Sequence, residues 1–143
     1  MKTIIVKTIA FVLVFALCFS LFSCGLNSYS ALMLVRGATA NELEVSFKSL
    51  SGSLSQKLSN SYTQDTSMSV EATLEGGEME IYYAPASYDG EMLLCKLSGE
   101  ESISLSNLGY LTNGESTMII LRVPDGVTAK GGKIRVTIDN PTR

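Results

Sequence analysis

The 143-residue sequence has no histidine, no tryptophan, three cysteines and three prolines. The absence of histidine removes the usual general base and the commonest metal ligand. Serines are frequent, but none lies in a Gly-x-Ser-x-Gly elbow, and no Ser-x-x-Lys set falls on a helical pattern. Catalysis is therefore not expected. Calcium needs clustered oxygens, and no Asp-x-Asp-x-Asp loop occurs. Asp65, Asp89, Asp125 and Asp139 read as turn and surface residues, so neither a metal nor a cofactor is expected.

Long apolar runs are also scarce, with one exception at the N-terminus. Met1 to Lys7 is a short basic segment, and residues 8–20 are apolar, with Phe11, Val12, Leu13, Val14 and Phe15 at their centre. This is the secretory leader pattern. The run ends in Leu21-Phe22-Ser23-Cys24. An uncleaved anchor and ordinary secretion are the competing readings of the same stretch.

Leu21, Ser23 and Cys24 resemble the lipobox of bacterial lipoprotein precursors. The resemblance implies cleavage before Cys24, diacylglycerol on its sulfur, and possible acylation (palmitate or similar) of the freed amine. Two or three acyl chains anchor lastingly where one holds only marginally. The implied organisation is a signal peptide over 1–23, a lipid-anchored tether over 24–41 and a globular domain over 42–140. The implied location is the extracytoplasmic face of a cell membrane.

Cleavage before Cys24 leaves 120 residues, enough for one core. Two of the 11 Lys and Arg lie in the leader, so nine face 14 acids, a net charge of −5. An acidic body argues against nucleic acid and against attachment through a basic face. With Cys18 discarded and Cys24 on lipid, Cys95 has no partner in its chain, and it reads as an inert buried thiol.

From residue 42 the apolar period is two. Leu43, Val45 and Phe47 alternate with polar residues, as do Met68, Val70, Ala72 and Leu74, then Met79, Ile81 and Tyr83, then Ile134, Val136 and Ile138. Residues 31–35 fit either an edge strand or a short helix, and residues 36–41 read as a loop. Ser51-Gly52-Ser53 reads as a turn and residues 54–62 as an edge strand. Glu75-Gly76-Gly77-Glu78 reads as a tight hairpin. Residues 92–97, apolar on both faces, read as a central strand, and residues 109–115 as a loop. The charges over residues 133–139 read as guards of an exposed edge. About eight short strands with regular turn signals predict an all-β chain: a single, jelly-roll-like β-sandwich.

Over residues 70–139 the body also resembles small β-sandwich modules of bacterial secreted proteins, including pre-peptidase C-terminal-type domains. The Gly-Glu turns and the closing Lys-Gly-Gly-Lys-Ile-Arg-Val-Thr-Ile stretch carry that resemblance. It implies an accessory role without catalytic residues.

The expected function is a non-enzymatic lipoprotein whose sandwich contacts another envelope or extracellular protein. The alternative is a small carbohydrate- or ligand-binding module on the cell surface, with Tyr82, Tyr88 and Tyr110 as the candidate contact residues for a glycan. Alternation places Tyr82 and Tyr83 on opposite faces, so Tyr83 is expected in the core.

Overall fold

The computed structural model describes residues 29–142. The leader, the lipobox and Cys24 lie outside the described residues. Nine strands follow in order: β1 (Tyr29–Leu32), β2 (Val35–Ala38), β3 (Glu42–Ser59), β4 (Thr66–Leu74), β5 (Glu78–Pro85), β6 (Met92–Ser98), β7 (Glu101–Leu111), β8 (Ser116–Arg122) and β9 (Ala129–Ile138). There is no helix among the described residues. The fold is an all-β, antiparallel sandwich, as the alternation predicts.

One continuous path of pairing runs β6-β5-β8-β3-β9-β4-β7, with β1 and β2 on the other side of β3. β3 belongs to both layers. Residues 42–50 pair with β9, and residues 53–59 pair with β8. The expected turn at residues 51–53 is instead the corner where one 18-residue strand passes between sheets. The first sheet thus holds β1 and β2, the start of β3, β9, β4 and β7. The second holds the end of β3, β8, β5 and β6.

Inward residues from both layers make one core. Leu43, Val45 and Leu50 of β3, Met68 and Val70 of β4, Ile81 of β5, Ile119 and Leu121 of β8, and Val136 of β9 are essentially inaccessible. Each such aliphatic side chain contributes about 1.5–3 kcal/mol by leaving water. Cys95 joins this core, and burial, followed by the nearby Glu101 charge, pushes its thiol up to about 11. A thiol that stays protonated is a poor nucleophile, in keeping with an inert role.

Several local expectations fail because strand pairing, not local pattern, decides them. Residues 75–78 do not close a hairpin, because β4 and β5 lie in opposite sheets. The glycines there serve close approach instead. A Cβ on Gly77, whose φ is 84°, would sit 2.2 Å from the Thr128 carbonyl oxygen. β6 is an edge strand, paired only with β5, and its Leu93 is 55% exposed. β9 is central, between β3 and β4, so its charges guard no edge. β7 runs through the expected loop as far as Leu111. Residues 29–32 and 35–38, within the stretch read as tether, form β1 and β2 against β3, so residues 31–35 are two strand ends joined by a bend at Met33 rather than a helix, and β2 runs into the stretch expected as a loop.

Candidate functional site

The site begins with an irregularity in β7. Between Val70↔Leu105 and Met68↔Leu108, β4 advances two residues while β7 advances three, and the same slip recurs before Thr66↔Leu111. Each slip is a bulge, a device that bends a strand and re-aims its side chains. Asn107 takes a φ of 57° at the first and Gly109 a φ of 64° at the second. Only glycine fits the second position, where a Cβ would meet Met68 Cε at 2.8 Å and the Tyr83 ring at 2.9 Å.

The bulged end of β7, the outer face of β4 and the segment after β9 enclose a cleft of about 680 Å³. Tyr62, Asp65, Ser67, Ser69, Asn107 and Asp139 line it. Alternation along β4 explains the two serines. Met68 and Val70 point into the core, so Ser67 and Ser69 point out. Both hydroxyls hold Asp139: Ser69 Oγ donates to Oδ1 at 2.6 Å and Ser67 Oγ to Oδ2 at 3.4 Å. The main chain is pinned too, with Asp139 N donating to Ser67 O at 2.9 Å and Thr66 Oγ1 donating to Asp139 O at 2.6 Å.

The opposite wall, residues 60–65, is set by two buried polar groups. Asn60 is 2% exposed. Its Nδ2 donates to Gln64 O and Thr112 O, each at 2.9 Å, and its Oδ1 accepts from Tyr62 N at 3.0 Å. Glu115 is 8% exposed and accepts from Ser87 N and Thr112 N, each at 2.8 Å, and from Thr112 Oγ1 at 3.0 Å. Burial alone raises a carboxyl, but these donors outweigh it and hold Glu115 at about 2. Asp65 then accepts from Asn113 N at 2.9 Å and from the Tyr110 hydroxyl.

The three tyrosines of the expected glycan site lie on three different elements. Tyr110 is exposed on β7, and its hydrogen bond to Asp65 raises its hydroxyl above the ordinary phenol value. Tyr88 is exposed in the β5–β6 turn, where its N donates to Pro85 O at 3.1 Å. Tyr82 lies on the outer face of the second sheet, donating to Glu80 Oε2 at 2.8 Å under the Arg122 guanidinium, 4.8 Å from the ring centre. Tyr83 is buried, as alternation requires. The cleft residues Tyr62, Ser67, Ser69 and Asn107 were not singled out by sequence as a site. The one local signal for them was Asn107-Leu108-Gly109 inside an alternating run, a pattern that marks bulges.

One other surface gathers charged groups. On the outer face of the first sheet, Arg135 lies 3.6 Å from both Glu44 and Glu71 and 4.0 Å from Glu42. A hollow of about 340 Å³ beside it is lined by the same charges. They answer one another and form a solvated face. Among the described residues no group of three or more His, Cys, Asp or Glu is placed to hold a metal ion.

No family model matches the chain, and neither does any curated protein. Solved structures do. It is similar to a carbohydrate binding module of family 29 at 13% identity and a TM-score of 0.41, covering 78% of this chain and 75% of that one. A mutant of such a module complexed with mannohexaose gives 12% identity and a TM-score of 0.41, with 78% and 77% covered. The Podospora anserina GH26-CBM35 β-(1,4)-mannanase gives 16% identity and a TM-score of 0.39, with 79% of this chain and 25% of that one covered. Scores and identities this low leave ligand and residue roles to this chain's own geometry.

Proposed function

We propose that the protein is a non-enzymatic binding module, held at the extracytoplasmic face of a membrane by lipid on Cys24, that takes a glycan in the cleft bounded by Tyr62 and Asp139. The observation that carries the reading is the composition of that cleft. It offers two carboxylates as acceptors (Asp65 and Asp139), two amides as both donors and acceptors (Asn107 and Asn140), serine and threonine hydroxyls, and the ring of the half-buried Tyr62. A sugar presents the complement: hydroxyls of both senses around an apolar C–H face. The cleft is open and polar, unlike the enclosed apolar pockets that take drug-like ligands. Leu21 and Ser23 supply the peptidase recognition that the anchor needs.

The test is titration calorimetry of the processed protein against a panel of soluble oligosaccharides. Asp139→Asn and Tyr62→Ala are each expected to weaken the best ligand about tenfold; Asp139→Asn should leave the unfolding temperature little changed, whereas Tyr62→Ala, which removes a ring packed on the core, should lower it. Tyr82→Ala, on the other sheet, should bind as the parent does. Binding unaffected by the cleft variants, or no binding by any member of the panel, overturns the reading.

A second reading, contact with another envelope protein, has its own observation. On the outer face of the second sheet, Leu93, Tyr82 and Ile120 align across β6, β5 and β8, with Met118 of β8 exposed nearby. Crosslinking in cells from a reactive group placed at Met118, with and without Leu93→Asp, tests it. A reproducible neighbour lost in Leu93→Asp supports it, and the absence of any neighbour removes it.

A further inference from the structure

Four of the nine exposed large hydrophobic residues among the described residues lie on the edge formed by β1 and β2. Tyr29, Leu32, Met33 and Val35 are 40%, 52%, 72% and 67% exposed, while Ala31 and Leu34 between them pack on the core. Both strands pair with β3 alone, so their outer edges carry unpaired backbone groups. An apolar open edge is a liability that a fold covers or blunts. Here it carries no acid. The first acidic residue of the chain is Glu42, and Arg36 is the sole charge in residues 29–41.

We infer that this edge rests in the interfacial layer of the bilayer that holds the lipid anchor. The inference rests on the anchor assigned to Cys24. Five residue steps separate Cys24 from Tyr29, a reach of about 18 Å at full extension. The apolar edge therefore cannot stray far from the headgroups. β1, β2 and the two residues that join them span 29–38, within the stretch 24–41 expected as a tether. A tyrosine, aliphatic side chains and an arginine are the residue types that settle at a membrane surface. The acids nearest the edge, Glu42 and Glu44 on β3 beside the end of β2, are answered by Arg135, and the other acids lie on the remainder of the fold, which anionic lipid repels. The bilayer is thus the occupant that charge and tether length both favour.

The chain has no tryptophan, so a single introduced one reports its own surroundings. The full-length precursor is expressed and processed in bacteria, purified, and reconstituted in phosphatidylcholine–phosphatidylglycerol vesicles as Met33→Trp, Val35→Trp or Leu93→Trp. Both edge reporters should be quenched by brominated acyl chains and be about threefold less open to acrylamide than Leu93→Trp, as expected for residues sunk several ångströms into the interface. Equal acrylamide access at all three positions, without bromolipid quenching, overturns the inference. Shielding from acrylamide without bromolipid quenching also overturns it, because a second copy or another protein then covers the edge. Intact mass and vesicle flotation on the same samples judge the anchor separately. Bare Cys24 in a protein that does not float removes both the anchor and this inference. Lipidated protein with open edge reporters removes the inference alone.

Discussion

Glu115 and Asp139 are both carboxylates near strand ends, and they are used in opposite ways. Glu115 is turned inward and surrounded by donors from two turns, Ser87 N on one side and Thr112 on the other. Asp139 is held by two serine hydroxyls on an outer face and still lines an open cleft. The first fixes loops, and the second presents an acceptor to solvent. The difference lies in the donors rather than the acid. Backbone N–H groups of a turn need an acceptor wherever water is excluded, whereas hydroxyls can turn to a ligand. Loop rigidity at Glu115 and Asn60 is what keeps Tyr62 and Asp65 in place opposite Asp139.

The strongest way to break the contrast is Glu115→Ala. It leaves three donors without their acceptor and should cost about 3 kcal/mol in urea unfolding. The pH dependence has a definite sign. The folded carboxyl titrates at about 2, below its ordinary 4.5. Its stabilisation is therefore complete above about pH 4.5 and is lost as pH falls toward 2. Glu115→Gln should flatten that part of the stability profile, and an unchanged acid limb would show that Glu115 is not the group responsible.

Asn60→Ala comes next, at about 2 kcal/mol, because Tyr62 N and two carbonyls lose a buried partner. It should also weaken the cleft's ligand through the displaced Tyr62 wall. A variant that loses stability but keeps full affinity would separate the two regions. The smallest effect belongs to Arg135→Gln. Its three carboxylate neighbours are all well exposed, and exposed pairs contribute less than about 1 kcal/mol. Denaturation in low and high salt checks it, and a larger or salt-insensitive loss would contradict a solvated face.

Much of the core could be read from alternation alone. Leu43, Val45, Met68, Val70, Ile81, Tyr83, Ile134 and Val136 all point inward as expected. Sheet membership could not be read in this way. A period of two is the same for an edge and a centre, so β6 and β9 exchanged their expected places. The Gly76 and Gly77 pair looks the same in a hairpin as in a crossing between layers. The cleft was hidden for a related reason. Its walls come from residues 62–69, 106–107 and 137–141, which only the pairing of β4 with β7 and β9 brings together.

Local periodicity and short motifs, which are properties of neighbouring residues, carry the all-β class, the inward faces and the expectation of a lipid-bearing Cys24. Which strands are edges, which carboxylate is buried and which faces the cleft, and that residues 29–35 form an apolar edge, follow only from how the strands pair. Each of those depends on partners far along the chain, and no local pattern records them.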